Sequence, residues 1–299
     1  MTYGVCYAET TCQPDHDVSM SAIKSAEQRD VQALGVRTRY VEAGAGDPVV
    51  LIHGLGMSTA SWRANISPLS GKRHVLAVDL PGHGYSEMPR ERYSLEFGVR
   101  FMDALLDAVG LARVSLVGES MGGLVALNYA LERPERVARL VLVDSGGLGR
   151  EVALFLRVLS IPLLGEALID PGLKGTRAVL RLLLHRSNWH LITDDLVRDV
   201  AAARTRPGNK QALLAALRTG VNVWGQKTEF VLTARLPRLQ APLLTVWGAQ
   251  DGVIPVSHAH RAHQAAPGSR LRVFDQCGHW PQMEKADQFN ALIDEFLQS

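Results

Sequence analysis

The sequence predicts an α/β fold, in which a mostly parallel sheet is flanked by helices, with a separate helical insertion in the second half of the chain. From Val36 onward, short apolar runs alternate with longer segments of helical spacing, an order typical of parallel sheets. This alternation stops over residues 148–230, where a Leu- and Arg-rich stretch with helical spacing takes over. Because ligands of open α/β sheets bind beyond the carboxyl ends of the strands, the residues that follow each run are the candidates for a site.

Six largely apolar runs predict the buried strands. Residues of strands that are covered on both faces read as continuous apolar runs, and each run here ends near Gly, Pro, Asp or Ser. The runs are residues 49–52, 74–80, 114–117, 139–143, 242–247 and 271–274. The sequence therefore predicts a tail over residues 1–30, a core over residues 31–147 and 231–299, and a helical cap over residues 148–230.

Composition narrows the function classes. The chain has 299 residues, of which 46% are hydrophobic and 21% charged, as in ordinary globular proteins. Its 32 basic and 30 acidic residues are interspersed and give a formal net charge of +2. No basic stripe offers the phosphate-neutralising surface that nucleic acids require, so we expect no nucleic-acid partner.

Cysteine content and hydropathy indicate the compartment. Cys6, Cys12 and Cys277 are too few and too widely spaced for a disulfide framework or a paired zinc site, which favours a reducing, cytoplasmic setting. Residues 1–30 contain no unbroken apolar segment of a signal peptide, and no stretch reaches the roughly 20 apolar residues of a membrane span. His258 and His260 do not face one another on a helix and no nearby carboxylate completes a ligand set, so we expect no metal and no organic cofactor.

A Gly-x-Ser-x-Gly motif carries the strongest chemical signal. Residues 118–122 read Gly-Glu-Ser-Met-Gly, directly after a predicted strand and before a helical pattern. The sharp turn from strand to helix exposes the serine and needs glycine on both sides, because a Cβ there would clash. We predict Ser120 to be a nucleophile.

A serine nucleophile needs a base and an acid that orients the base. His279 follows the last predicted strand and a glycine, and Asp251 lies in the turn after the preceding strand. The chain order Ser, Asp, His is the order expected for this kind of nucleophile turn. Asp144, after the strand of residues 139–143, is the alternative candidate for the acid that orients His279.

The first buried strand ends in His53-Gly54-Leu55-Gly56, a loop whose backbone can come close to a substrate. We expect the N–H groups of Leu55 and Met121 to form an oxyanion hole, although the loop could also be only a strand-ending turn. His53 is expected to brace its loop rather than to act on the substrate. Asp79 and His83, in a second turn-rich segment, are expected to hold loop geometry.

With these residues in place, the chain resembles the α/β-hydrolase superfamily over nearly its whole length after Val36. The nucleophile turn, the His-Gly loop, the Asp-Leu-Pro-Gly-His-Gly-Tyr-Ser segment, the Gly-x-x-Asp turn and the Gly-His end all occur in that superfamily's order. The resemblance implies an eight-stranded core with a lid made from the insertion.

Two activities compete within the resemblance. Residues 278–287 and 146–149 look like the meta-cleavage product hydrolases, which split carbon–carbon bonds of dienols. That group usually has Asn where this chain has Glu119, and Gly-Pro-Gly where this chain has residues 55–57. On that reading, Trp280 and a cap arginine, Arg181 or Arg186, hold the dienolate.

These departures from the meta-cleavage pattern do not affect the predicted triad of Ser120, Asp251 and His279 or the predicted oxyanion hole. The sequence therefore favours a carboxylesterase acting on short to medium acyl chains. Gly54, Trp189 and Trp280 are the expected substrate contacts. The predicted partner is a small-molecule ester or dienoate, and a homo-oligomer is left open. A non-catalytic ligand-binding protein of the same fold is the alternative from another class.

Overall fold

A computed structural model describes residues 26–298, and its centre is an eight-stranded sheet in the order β1-β2-β4-β3-β5-β6-β9-β10. Strand β2 runs antiparallel to β1 and β4, and all other neighbouring pairs are parallel. A two-stranded sheet is formed by β7 and β8. The predicted fold class is therefore confirmed. The strands are β1 (Glu27–Ala33), β2 (Val36–Ala43), β3 (Pro48–Ile52), β4 (His74–Val78), β5 (Val114–Glu119), β6 (Val137–Val143), β7 (Val221–Asn222), β8 (Gly225–Gln226), β9 (Leu243–Gly248) and β10 (Arg270–Phe274).

The edge strand β1 begins at Glu27, within the stretch predicted as a tail, and residues 1–25 of that stretch lie outside the described residues. The strand cannot be predicted from hydrophobicity, because its first four side chains are all exposed. It is joined to β2 by Leu34 and Gly35, which have φ angles of 52° and 73°. Two consecutive positive φ angles suit a tight hairpin.

The parallel strands at the centre of the sheet are covered on both faces, which explains their largely apolar sequences. In β3, Val50 and Ile52 face one hydrophobic core, while Val49 and Leu51 face the other. Successive side chains of a strand point to opposite faces, so a strand between two helical layers must be apolar at every position.

Eleven α-helices accompany the strands in residues 26–298. Helices α2, α3 and α9 supply buried side chains to one core, and α1 and α11 supply them to the other. The sheet thus lies between two helical layers. The helices are α1 (Ile66–Ser70), α2 (Leu95–Ala108), α3 (Met121–Glu132), α4 (Leu154–Leu159), α5 (Leu164–Leu168), α6 (Leu173–Leu183), α7 (Asp194–Arg204), α8 (Asn209–Gly220), α9 (Ser257–Ala265), α10 (Pro281–Glu284) and α11 (Ala286–Gln298).

Residues 148–230, where the sequence predicts a helical cap, contain α4 to α8 and also the short hairpin β7–β8. The hairpin is missed by helical spacing because each of its strands has only two residues. The division of the chain into tail, core and cap at the stated residues remains a prediction. Within the described part of the chain, no helix combines the length and apolarity needed to cross a membrane.

Candidate active site

Ser120 occupies a strained turn between β5 and α3. Its φ and ψ angles are 54° and −117°, a backbone conformation that residues with a side chain rarely adopt. The turn places Ser120 on the wall of a large cavity. Strain of this kind is found where a surrounding structure holds a functional side chain in place.

Two glycines allow this turn to form. A Cβ at Gly118 would lie 2.4 Å from the carbonyl oxygen of Gly122, and a Cβ at Gly122 would lie 2.3 Å from that of Ile52. Both distances are shorter than any real carbon–oxygen contact, so larger residues would push α3 away from the sheet. The glycines of the motif are therefore required by close backbone approach at both positions.

His279 and Asp251 meet at the carboxyl ends of β9 and β10. The distance from His279 Nδ1 to Asp251 Oδ2 is 2.7 Å, and both side chains are buried. The second oxygen of Asp251 accepts hydrogen bonds from the N–H groups of Val253 and Ile254 at 2.7 and 3.1 Å. Burial lowers the pKa of His279, but the charge and hydrogen bond of Asp251 outweigh it, and the pKa is raised above its ordinary value.

Asp144, the rival acid, lies beside this pair but contacts another partner. Its Oδ1 accepts a hydrogen bond from the Gly248 N–H at 3.0 Å. Burial and the neighbouring Asp251 carboxylate raise the pKa of Asp144 well above the ordinary value for aspartate. Its other oxygen, Oδ2, has no hydrogen-bond partner among residues 26–298, so Asp144 does not hold the histidine.

Glu119 brings a further carboxyl group to the reacting end of the histidine. Its Oε1 lies 3.4 Å from His279 Nε2, the nitrogen that faces away from Asp251. The side chain is 1% exposed, and its Oε2 has no hydrogen-bond partner among residues 26–298. Burial raises the pKa of Glu119 to about 7. Sequence reasoning treats this residue only as a departure from a family pattern and misses its contact.

The two expected oxyanion donors line the same cavity as Ser120. The N–H of Leu55 has no backbone or side-chain acceptor within residues 26–298, and the N–H of Met121 is among the first four of α3, which helices leave without a helical partner. Gly54 brings the loop close, since a Cβ there would lie 3.0 Å from Ser120 Cβ. The loop backbone therefore passes directly beside the nucleophile.

His53, Asp79 and His83 hold loops, as their sequence context predicts. His53 Nε2 accepts the Leu80 N–H at 3.0 Å, so the proton lies on Nδ1, 2.7 Å from the Gly54 carbonyl. Burial lowers the pKa of His53 to about 3 and that of His83 to about 4. Both rings are thus neutral near pH 7, where they act as hydrogen-bonding struts.

Glu284 fixes the loop that carries the histidine to the segment after α6. Its Oε1 accepts the Gly278 N–H at 2.8 Å and the Trp280 N–H at 3.3 Å, on the two sides of His279. Its Oε2 accepts the His185 N–H at 2.8 Å and the Asn188 side-chain amide at 2.7 Å. Sequence reasoning includes Glu284 only within a resemblance, because nothing in its spacing indicates four donors from two separate segments.

The cavity beneath α4 to α8 has a volume of about 820 Å³. Ser120, His279, Gly54 and Trp280 all lie on the wall of this largely apolar space. Such a volume falls within the range of small-molecule sites, and its lining suits an apolar ligand. The apolar wall includes Phe97, Phe101, Leu124, Phe155, Leu183 and Leu217.

Three residues expected to contact substrate lie elsewhere. Trp189 is 46% exposed and is absent from the cavity wall, because the ring lies over the guanidinium of Arg181 at 5.6 Å on the outer surface. Arg181 and Arg186 are also exposed. The structure therefore does not bring these three residues to the cavity, since the outer faces of α6 and the turn after it carry them.

Arg204, at the end of α7, is the cationic residue of the cavity wall. Its side chain is buried, and its Nε has no hydrogen-bond partner among the described residues. Burial lowers the pKa of the Arg204 guanidinium, while Asp170 opposes this effect. Sequence reasoning misses Arg204 because only the packing of α7 distinguishes it from other cap arginines.

The side chains of Asp144, Asp251 and His279 also offer ligand atoms within 4.8 Å of one another, a spacing suited to a metal ion. The 2.7 Å contact of His279 Nδ1 with Asp251 is a direct hydrogen bond, and this nitrogen is thereby occupied. The arrangement fits proton transfer between a histidine and its orienting carboxylate.

Comparisons with known proteins show the family and the fold. Residues 47–286 match the family described as alpha/beta hydrolase fold. A 2-hydroxy-6-oxo-6-phenylhexa-2,4-dienoate hydrolase of Comamonas testosteroni is 35% identical over 268 residues, covering 86% of this chain and 90% of that protein. A structure of the meta-cleavage product hydrolase from Pseudomonas fluorescens IP01 has a TM-score of 0.77 at 30% identity and covers 90% of this chain and 97% of that chain. A carboxylesterase of Bacillus subtilis has a TM-score of 0.77 at 22% identity, covering 91% of this chain and 92% of that one, and so supports the fold alone.

Proposed function

This chain belongs to the α/β-hydrolase-fold family and is a hydrolase, and we propose that it cleaves carboxylic esters through an acyl-enzyme on Ser120. The observation that carries the proposal is the 2.7 Å contact of His279 with Asp251, because His279 lines the same cavity as Ser120. In this mechanism His279 takes the proton of Ser120 as the hydroxyl attacks the ester carbonyl, and Asp251 stabilises the imidazolium.

The remaining groups act on the intermediate. The N–H groups of Leu55 and Met121 donate to the negative oxygen of the tetrahedral intermediate, and each such donor typically stabilises the transition state by ~2.7–4 kcal/mol. His279 then gives its proton to the leaving alcohol, and a water molecule, activated by the same histidine, releases the acid. All bonds are made and broken without an organic cofactor.

The cavity supports apolar acyl groups of short to medium length. Each further methylene that enters an apolar wall contributes about 0.8 kcal/mol, which raises kcat/KM about fourfold. We expect kcat/KM of p-nitrophenyl esters to rise from acetate into the medium chain lengths, and a profile that is flat or that continues to rise with long chains would contradict the proposal.

A second candidate is hydrolysis of carbon–carbon bonds in 2-hydroxy-6-oxo-dienoates, the activity named for the relative from Comamonas testosteroni. One observation favours it, because Arg204 places a buried cation in the cavity wall where a substrate carboxylate could bind. One observation opposes it. An ionised Glu119 beside His279 would repel the negative oxygen of a dienolate.

The deciding experiment measures p-nitrophenyl acetate and butyrate hydrolysis beside turnover of a 2-hydroxy-6-oxo-dienoate, with Ser120→Ala as the background control. Fast ester cleavage with little dienoate turnover supports the esterase, and the reverse result supports the second candidate. No turnover of either substrate would contradict both proposed activities and favour a non-catalytic ligand-binding protein.

Arg204→Gln distinguishes how the two substrates are held. An uncharged ester makes no use of the guanidinium, so its KM should change less than twofold, whereas the KM of a dienoate should rise at least about tenfold for a lost charge-assisted contact. An equal rise for both substrates would show that Arg204 only supports the cavity wall.

We also propose a reducing, cytoplasmic location. Cys277 is a buried free thiol, and Cys6 and Cys12 lie outside the described residues. A disulfide joining Cys6 to Cys12, detected by mass spectrometry of alkylated protein from intact cells, would contradict this location.

A further inference from the structure

Exposed apolar side chains are concentrated around the mouth of the cavity. Within residues 26–298, eleven large apolar residues are exposed, and ten of them lie between positions 154 and 224. The exception is Met88. Single exposed apolar residues are ordinary, but a group of ten in one quarter of the chain indicates a surface that contacts an apolar partner.

Contacts within this group show that its parts are neighbours. Leu154, Leu168 and Leu182 are 67%, 56% and 55% exposed and also line the cavity, so the cavity opens among them. Arg157 of α4 donates a hydrogen bond to the Val223 carbonyl at 2.7 Å, which ties the hairpin turn with Trp224 to the same rim. We call this region the mouth surface, and its residues are Leu154, Leu163, Leu168, Leu182 and Trp224.

Leu163 is the most exposed of the large apolar residues within residues 26–298, at 82% exposed. It precedes α5 with a φ of 67°, a left-handed conformation that bulky residues rarely adopt. Trp224, at the turn of the β7–β8 hairpin, is 76% exposed. Tryptophan is favoured where an apolar phase meets water, because its ring is apolar and its N–H is polar.

The charge around the mouth surface is positive. Lys174 and Arg181, beside Leu173 and Leu182, and Arg186 are exposed. Over residues 148–191 the chain has six basic residues (Arg150, Arg157, Lys174, Arg177, Arg181 and Arg186) against three acidic ones (Glu151, Glu166 and Asp170). Glu166 forms an ion pair with Arg218 at 2.6 Å and Arg177 forms one with Asp194, so these two pairs remove one charge of each sign and the positive excess remains. Basic residues near apolar side chains are attracted to anionic headgroups, each by about 1 kcal/mol.

We propose that the mouth surface docks on an anionic lipid surface, from which apolar substrate enters the cavity without crossing water. A second copy of the chain suits this region less well. Two copies would bring excess positive charge together and would cover the opening of the cavity, whereas a lipid surface is complementary in charge and apolarity. This inference goes beyond the proposed function, and docking does not depend on which bond Ser120 cleaves.

The test measures co-sedimentation with vesicles of phosphatidylcholine, alone or mixed with phosphatidylglycerol. The protein carries Ser120→Ala throughout, so failure of the proposed chemistry does not affect the result. We expect binding to the mixed vesicles, weaker binding to pure phosphatidylcholine, and weakening by added salt. Equal binding to both vesicle types, or binding to neither, would overturn the proposal.

The double variant Leu163→Asn/Trp224→Gln removes two apolar side chains that do not line the cavity. Asparagine accepts a positive φ, so the turn before α5 should be retained. We expect vesicle affinity to fall at least about tenfold. The matched control is Met88→Gln, which removes the exposed apolar residue outside the mouth surface and should leave vesicle affinity unchanged.

Two further outcomes would overturn the proposal. The first is an unchanged vesicle affinity of a double variant whose circular dichroism and Tm match those of the parent protein. The second is a concentration-dependent dimer in size-exclusion chromatography that the double variant abolishes, because a second copy would then cover the mouth surface.

Discussion

At the scale of single residues, three buried carboxyl groups surround one histidine. Asp251 holds His279 Nδ1, Asp144 lies beside Asp251, and Glu119 lies 3.4 Å from His279 Nε2. Burial raises the pKa of Asp144 and of Glu119, and Asp251 contacts the imidazole directly. Buried acids with raised pKa values are typical of sites that move protons.

Replacing the two aspartates should separate their roles. Asp251→Asn misdirects the histidine tautomer, and we expect kcat to fall about 10⁴-fold. Asp144→Asn keeps an oxygen that can accept the Gly248 N–H, so we expect a loss of no more than about tenfold. Steady-state kinetics with p-nitrophenyl butyrate measure both variants. A larger loss for Asp144→Asn would show that Asp144 is the orienting acid.

Glu119→Gln should shift the pH dependence of the reaction. His279 must be neutral to act as a base, so the rate rises with pH through the pKa of His279, which lies above its ordinary value of about 6.5. The Glu119 charge contributes to this elevation. Its removal should lower the pKa, and the acidic limb of the kcat/KM profile should move to lower pH. An unmoved limb would show that Glu119 has no charge coupling to His279.

At the scale of structural elements, the site depends on how the His279 loop is attached to the segment after α6. The carboxylate of Glu284 accepts hydrogen bonds from both flanks of His279 and from the segment that includes His185 and Asn188. The His279 N–H itself donates to the Leu183 carbonyl of α6 at 2.7 Å. The position of the base is thus set jointly by β10, α10 and α6.

Glu284→Gln should disturb this attachment. A glutamine side chain turns one acceptor oxygen into an amide donor, so two of the four N–H donors lose their partner. We expect a destabilisation of roughly 1–3 kcal/mol, a fall in Tm of several degrees, and a kcat loss larger than any change in KM. Thermal unfolding and steady-state kinetics measure these effects. The matched variant Glu229→Gln changes an exposed glutamate elsewhere and should leave both quantities unaltered.

At the scale of the whole molecule, the buried carboxyl group of Glu119 makes the stability of the folded protein depend on pH. Its pKa in the folded state is raised to about 7, above its ordinary value of about 4.5. Between these values the folded state binds more protons than the unfolded state, so ionisation opposes folding and stability falls as pH rises. The loss contributed by this one group is up to roughly 3 kcal/mol above about pH 7.

Glu119→Gln should therefore stabilise the protein more at higher pH than at lower pH. The gain in free energy of unfolding over the wild type should increase between about pH 5 and about pH 8, because only the wild type must bury a charge there. Urea unfolding at the two pH values measures the difference. The same gain at both pH values would mean that Glu119 does not carry a charge that opposes folding.

Much of this molecule follows from sequence pattern alone. The largely apolar runs predict the parallel strands, and the Gly-Glu-Ser-Met-Gly motif predicts the turn at Ser120, because both depend on neighbouring residues along the chain. The α/β fold class is confirmed. Strand β1 is not predicted, because an edge strand with exposed side chains has no hydrophobic pattern. The triad and oxyanion roles remain predictions that the geometry of His279, Asp251 and Leu55 supports.

The sequence by itself determines the succession of the apolar parallel strands and their helices along the chain, the strained turn at the serine and the residue types able to act there, since each is set by local periodicity and backbone sterics. Only the tertiary structure decides that Asp251 rather than Asp144 meets His279, that Glu119 reaches the other ring nitrogen and that Arg204 rather than Arg181 or Arg186 enters the cavity. These residues are brought together by the packing of α7 and the ends of β5, β9 and β10. Contacts between segments so distant in sequence depend on strand order and helix packing, which no local pattern of residues records.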